Sequence, residues 1–395
     1  MRVDLVIVGG GLVGASLAAA LAGSGLEIAL VEPSAPADPG PGWDARIYAL
    51  SPASVAFLRS TGAWDLVDPA RVTRVERMRV FGDDGASELD FSAYEAGVGE
   101  LAVTVESGRL ARSLWRRLEG AGGVHLLCPG SAVALERTPE EVTLRLASGD
   151  CVRARLCVGA DGSRSWVRRA AGMAASVRPY GERGVVANFA CEAPHRHTAF
   201  QWFRDDGVLA FLPVAEDIVS IVWSAPEERA QALLALAPGA LCETVAAAGR
   251  GTLGGMTLVT PAASFPLELL RTPRCAERRV VLLGDAAHVV HPLAGQGVNL
   301  GFADAAALAG ALCGMRGHRD PGDLSVLRRF ERARAEDILA MRWVTDGLHR
   351  LFGARSPAAA RIRNLGLNLT NSIPAVKSLL ARRAMGAAGF SKDAP

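Results

Sequence analysis

The first thirty-two residues leave this chain little choice of fold. Val3 to Val8 is a short, mostly apolar and β-branched run, the composition of a strand buried on both faces of a parallel sheet. It leads into Gly9-Gly10-Gly11-Leu12-Val13-Gly14 and then an Ala- and Leu-rich stretch of helical preference, Ala15 to Ala22. After Gly23 and Gly25 comes a second strand, Glu27 to Val31, ending in Glu32. Strand, GxGxxG, helix, strand, acid is the dinucleotide fingerprint in the context it requires. Gly9 permits the tight turn, Gly11 lets a pyrophosphate approach the backbone, and Gly14 lets helix and strand pack closely. The pyrophosphate then rests on the helix N-terminus. Glu32, 18 residues after Gly14, is placed for the ribose hydroxyls. A carboxylate there repels a 2′-phosphate, so the bound nucleotide is FAD or NAD rather than NADP.

Two look-alikes are set aside on physical grounds. Leu5 to Leu26 contains no charge and imitates a signal peptide or membrane helix, but its six glycines fit the nucleotide turn, and no targeting or spanning segment is expected. Gly249-Arg250-Gly251-Thr252-Leu253-Gly254 also matches GxGxxG, yet it follows a helical stretch, Glu243 to Ala248, and reads as a helix stop and loop. One dinucleotide fold is expected, so a nicotinamide donor must visit without a Rossmann domain of its own.

Residues 280–305 carry the chemistry. The apolar run Val280 to Leu283 breaks at Gly284-Asp285, as a buried strand reaching a ligand does. Pro292, Gly295 and Gly297 cannot continue the strand, and Val298-Asn299-Leu300 leads into Ala-rich helical sequence. The first N–H groups of that helix suit a group that becomes anionic at work, and reduced flavin is such a group along its N1–C2=O edge. A third strand broken by glycine, Leu156 to Gly159, ends in Ala160-Asp161-Gly162-Ser163-Arg164-Ser165; ligands collect at such carboxyl ends in open α/β sheets.

GDAAH followed by HPLAGQGVNLGFAD resembles the signature of the FAD-dependent hydroxylases of ubiquinone biosynthesis, within the single-component aromatic flavoprotein monooxygenases. The GADG segment is similar to that class's Asp-Gly motif, and Asp44-Ala45-Arg46-Ile47-Tyr48-Ala49-Leu50 to its D-x-R-x-x-A-L segment. The resemblance implies tightly bound, non-covalent FAD held by Gly9, Gly11, Gly14, Glu32, Arg46, Asp161, Gly284, Asp285, Gly295, Gly297, Val298 and Asn299. It implies Asp285 on the flavin's sugar-alcohol chain, the 295–299 turn on the ring, and Pro292 shaping the wall beside it. His291 is either a polar contact there or structural. Ser107, where relatives often carry Asn or Arg, departs from the pattern at one minor flavin contact. NAD(P)H would reduce the FAD, O₂ would add at flavin C4a, and the hydroperoxide would deliver OH to an electron-rich ring. The implied substrate is a polyprenylated phenol or benzoquinol precursor of ubiquinone. A soluble hydroxylase of a small phenol or benzoate and a non-catalytic FAD-binding scaffold are the alternatives.

The implied architecture is α/β: a Rossmann-like FAD-binding domain with an inserted antiparallel β-sheet substrate domain and C-terminal helices. The segments 1–75, 100–180 and 270–345 would build the first, and 76–99 and 181–269 the second. Strands are expected at Met78 to Phe81, Val185 to Ala190, Thr198 to Phe203, Val208 to Pro213 and Ile218 to Trp223. Phe203, Phe211, Leu212 and Trp223 are candidates to cover the flavin ring. A small acid substrate would need a buried Arg or Tyr on that sheet, and none of the three tyrosines (48, 94 and 180) is expected in it.

The net charge of +2 argues against nucleic acid as a partner. Seven cysteines without CxxC spacing read as free buried thiols in a reducing cytosol. His195-x-His197 reads as a surface pair rather than a metal site, and no metal is expected. The tail from Gly347 to Lys392 carries eight basic residues and no acid, leaving −6 for the rest. Segment 346–395 therefore reads as basic amphipathic helices, compatible with an anionic membrane or other quinone-pathway proteins. The expected location is cytoplasmic, peripheral on the inner face of the cytoplasmic membrane.

Overall fold

The computed structural model describes residues 1–84, 87–291, 297–315 and 320–353, with side chains as far as Met341. Five parallel strands lie in the order Val280–Leu282, Cys151–Gly159, Arg2–Val8, Ile28–Val31 and Val124–Leu127. Ile28–Val31 and Val280–Leu282 are buried at every residue because both faces are covered. Leu5, Ile7, Ile28 and Leu30 pack beneath the helices Leu12–Leu21, Ser107–Leu118 and Gly297–Cys313. The alternate residues Val6, Val8, Ala29 and Val31 pack against the hairpin Ala132–Arg137/Val142–Leu146 and Val167. Strand alternation thus makes two cores from one run of sequence. Leu5 to Leu26 is a strand, a turn and a ten-residue helix. Among the described residues no helix is long and apolar enough to cross a membrane.

A nine-stranded sheet forms the second layer, in the order His288–Val289, Ala263–Arg271, Ser176–Cys191, Ile218–Pro226, Gly207–Pro213, Thr198–Arg204, Arg77–Phe81, Glu88–Ser92, with Met256–Leu258 beside Ser176–Cys191. It is antiparallel except where Thr198–Arg204 meets Arg77–Phe81 in parallel. The five expected strands are all present. Ser176–Cys191 is longer than its apolar centre suggested, because pairing with Ala263–Arg271 carries it through Pro179 and Gly181 by a bulge. Tyr180 consequently lies in this sheet, against expectation, with its ring edge-on to His291 at 4.9 Å and away from the cavity described below.

Three further expectations change or hold. His195 is buried, not surface: its Nε2 lies 2.8 Å from the carbonyls of Val214 and Glu216, and its Nδ1 accepts the His197 N–H at 3.1 Å. The ring closes a loop in which Arg196 and His197 take positive φ, so the two histidines do not alternate along a strand. All seven cysteines are free, but Cys151 and Cys313 are exposed; burial pushes the Cys157 thiol up to about 12. The second GxGxxG is a helix stop, as read: Gly249 ends Pro238–Ala248, and any side chain there would strike the Phe211 ring at 2.7 Å.

Candidate active site

Val8, Gly159 and Leu282 are register partners across three adjacent parallel strands. The three glycine-interrupted segments therefore leave the sheet side by side at its carboxyl edge. Backbone bonds continue the row past the strand ends: Gly9 N–H to Val31 O, Ala160 N–H to Val8 O and Leu283 N–H to Gly159 O, each 2.9 Å. Strands are added on both sides of Arg2–Val8, so this edge is a topological switch point, where open α/β sheets hold ligands.

The nucleotide turn is shaped as its sequence requires. Gly9 has φ +106°, and a side chain there would meet Ala160 O at 2.4 Å. One on Gly14 would meet Gly9 O at 1.9 Å. At Gly11 a side chain would meet nothing within 4 Å among the described residues, so the space in front of the helix N-terminus is open. Glu32 is already committed to the turn: its Oε2 accepts the Gly10 N–H at 2.5 Å, while Trp115 Nε1 donates to Gly10 O at 2.8 Å.

From this turn a cavity of about 1030 Å³ runs between the two sheets. Gly11, Arg46, Asp161, Asp285, Gly297 and Val298 line its nucleotide side. Asp285 opens onto the cavity and makes no hydrogen bond among the described residues. Burial pushes its carboxyl pKa up, opposed by the charges of His288 and Arg46. Asp161 divides its work: Oδ2 accepts from Trp166 N–H (2.7 Å) and Val167 N–H (3.0 Å), capping the helix Trp166–Ala170. Its Oδ1 is buried without a partner among the described residues. Arg46 stacks over the Phe265 ring at 5.4 Å. An open groove at a helix N-terminus, a carboxylate with no protein donor and an orphaned carboxylate oxygen are what the pyrophosphate and hydroxyl-rich chain of FAD would complete.

Other expected contacts stand behind the wall. Asn299 turns away from the cavity: Oδ1 accepts from Ser51 N–H (2.9 Å) and Ser54 Oγ (2.8 Å), and Nδ2 donates to Ala49 O (2.9 Å). These bonds pin the N-terminus of Gly297–Cys313 to its neighbours. Gly284, at φ +54°, gives its N–H to Asp304 Oδ2 and sits against Val13, so it shapes the turn beneath Asp285. His291 is buried with Nε2 3.1 Å from Glu182 Oε2 and is packed on Tyr180. Pro292 and Gly295 lie outside the described residues.

Sequence reasoning missed the charged cluster under this turn. Asp304 accepts from His288 Nε2 at 2.7 Å and from Arg334 Nε at 2.8 Å, and all three are buried. Burial pushes the Asp304 carboxyl up, but His288 and Arg334 outweigh it and hold it low. Burial pushes His288 down, and Asp304 reverses the sign, raising it. The signal was a lone acid in an Ala-rich helix; its partner 30 residues on left no trace in spacing.

The sheet side of the cavity corrects the expected ring cover. Leu212 lines it with Val208 and Ala210, whereas Phe211 and Trp223 alternate to the opposite face, beneath the helices Glu227–Leu234 and Pro238–Ala248. Phe203 packs at the sheet's edge with Val80 and Leu89.

Residues 2–341 match the family model described as FAD binding domain. The chain is 34% identical over 388 residues to the 3-demethoxyubiquinol 3-hydroxylase of Escherichia coli (strain K12), covering 97% of this chain and 98% of that one. It is 35% identical over 394 residues to the ubiquinone hydroxylase UbiL of Rhodospirillum rubrum, covering 99% and 91%. Among solved structures, P. aeruginosa PqsL in complex with 2-aminobenzoylacetate superposes with a TM-score of 0.77 at 25% identity, over 93% of this chain and 99% of that one. With a match across nearly its whole length and a switch-point cavity shaped for a flavin dinucleotide, the chain belongs to the FAD-dependent hydroxylases of ubiquinone biosynthesis.

Proposed function

We propose that this flavoprotein hydroxylates the aromatic ring of a polyprenylated phenol or benzoquinol, with NAD(P)H as transient donor and O₂ as co-substrate. The observation that carries the reading is one cavity running from the nucleotide turn to the second sheet, so cofactor and ring share an enclosed space. Bound FAD supplies the activation of O₂; the chain supplies position, electrostatics and dryness. Gly297 and Val298 present a helix N-terminus to the cavity, where partial positive charge favours an anionic ring edge. Asp285 holds hydroxyls of the cofactor's chain, and Arg46 offers a fixed cation to the cofactor or to a visiting nicotinamide phosphate.

Val75, Met78, Phe91 and Leu101 continue the cavity as an apolar wall, suited to a hydrocarbon chain. Each methylene leaving water is worth about 0.8 kcal/mol, so a polyprenyl substrate stays with the bilayer or a lipid-carrying partner. On this reading the enzyme works at the inner membrane surface. Segments 1–75, 100–180 and 270–345 form its FAD domain, 76–99 and 181–269 its substrate domain, and 346–395 a basic segment for membrane or pathway partners. The test is incubation of the FAD-loaded protein with NAD(P)H, O₂ and either a prenylated phenol or its unprenylated parent. Mass spectrometry should find one added oxygen on the prenylated ring. FAD binding without product from either, or product only from the unprenylated ring, overturns it.

A further inference from the structure

The cavity face of the second sheet is built mostly from small and apolar side chains; besides the carboxylate Glu268, three uncharged polar side chains stand out. Ala210 lies between Gln201 and Val222 in one row across three strands, and Ser220 and Ser224 flank Val222 on its own strand. Gln201, Ser220 and Ser224 all line the cavity and are 6%, 1% and 4% exposed. None of the three side chains has a hydrogen-bond partner among the described residues. Their polar atoms open onto the cavity and are not sealed in the wall, so three such groups without a protein partner on one mostly apolar face mark a place where a polar ligand can complete them.

Spacing fits a single ring. Strands lie about 4.8 Å apart and alternate residues about 6.6 Å apart along a strand. A ring resting on Ala210 and Val222 is therefore flanked by Gln201 across the strands and by Ser220 and Ser224 at the two ends of Val222 along its own strand. The carboxamide offers a donor and an acceptor together, which matches adjacent oxygen substituents. Charge narrows the choice. The cavity's arginines, Arg46 and Arg164, come from loops on the nucleotide side, while the sheet contributes one charged side chain, the carboxylate Glu268. A ring carboxylate set on this floor would be desolvated without a cation.

We infer that Gln201, with Ser220 and Ser224, seats the oxygen substituents of an uncharged ring, so that the site takes a phenol or alkoxyphenol and rejects a benzoate. This rests on the hydroxylase reading above and names the ring that site accepts. The test titrates the FAD-loaded protein with a geranylated methoxyphenol and with the matched geranylated benzoate, following the perturbation of flavin absorbance. Wild type should bind the phenol at least about tenfold tighter than the benzoate, a difference of about 1.4 kcal/mol. Gln201→Met and Ser220→Ala should each weaken phenol binding about three- to tenfold with flavin content unchanged, and Gln201→Arg should shift the preference toward the benzoate. Unchanged phenol binding in both Gln201→Met and Ser220→Ala, or tighter benzoate binding by wild type, overturns the inference. Wild type preferring an unprenylated phenol while Gln201→Met still weakens it overturns only the polyprenyl reading.

Discussion

Gly9 and Gly11 are bare for different reasons, and the difference can be measured. At Gly9 the protein itself fills the space, 2.4 Å from a built side chain. At Gly11 nothing does, so only a ligand gives the glycine its purpose. Gly11→Val should therefore fold with wild-type thermal stability yet emerge colourless; full flavin content would remove the nucleotide assignment. Gly297 follows the same logic. A side chain there meets no described residue and projects where the flavin ring belongs. Gly297→Val should retain part of its FAD and lose a helix-end interaction of about 0.3–2 kcal/mol with the reduced ring. A redox titration should then show a lower flavin potential, and an unchanged potential with full hydroxylation would free this position of any role. These residues were legible because glycine and acid at a strand end are local requirements. Phe211 and Trp223 were not: one step of register decides which face of a strand a side chain takes, and composition does not state the step.

The helix Gly297–Cys313 is the element on which the site hangs, and two devices hold it. Asn299 spans Ser51, Ser54 and Ala49 with three hydrogen bonds, and a side chain on Gly301 would strike Val13 Cγ2 at 2.5 Å, so the helix rides close against Leu12–Leu21. Asn299→Ala leaves buried donors unpaired and should cost about 1–3 kcal/mol, read as a lower unfolding midpoint with FAD still bound. The second device is the His288–Asp304–Arg334 cluster, whose pH dependence has two limbs. Asp304 is held below its ordinary 3.8, so its contribution is present above that value and lost as pH falls through the folded pKa. His288 is raised above 6.5, so its contribution is complete below 6.5 and lost as pH rises through the folded pKa. Both are in force together between about 3.8 and 6.5. His288→Gln should flatten the alkaline limb of a Tm-against-pH curve; an identical limb in wild type and variant would dissolve the pairing. Asp304→Asn strands two buried cations and should cost about 3–5 kcal/mol. Strong local patterns announced the helix, but the partnership with Arg334 depends on how Leu324–Gly353 returns across it, which spacing does not encode.

At the scale of the whole molecule, the two-sheet plan was readable because strand–glycine–helix punctuation and β-rich alternation are periodic signals. Short strands that depend on a partner, such as Met256–Leu258 and His288–Val289, carry too few residues to show a period. The basic tail is the remaining whole-molecule feature, and residues 354–395 lie outside the described structure. Its eight positive charges between Gly347 and Lys392 oppose a net −6 in the rest, so the chain is a dipole in charge as well as in sequence. Near an anionic bilayer each exposed Lys or Arg is worth about 1 kcal/mol, and screening acts over about 8–10 Å. Two consequences separate a membrane-seeking tail from a solvated one. Truncation from Ala358 should leave FAD bound and reduce co-sedimentation with phosphatidylserine-containing vesicles. Raising salt should reduce the wild-type association toward the level of the truncated chain. Sedimentation indifferent to salt would assign the contact to apolar surface elsewhere, and equal sedimentation of both chains would deny the tail any part in it.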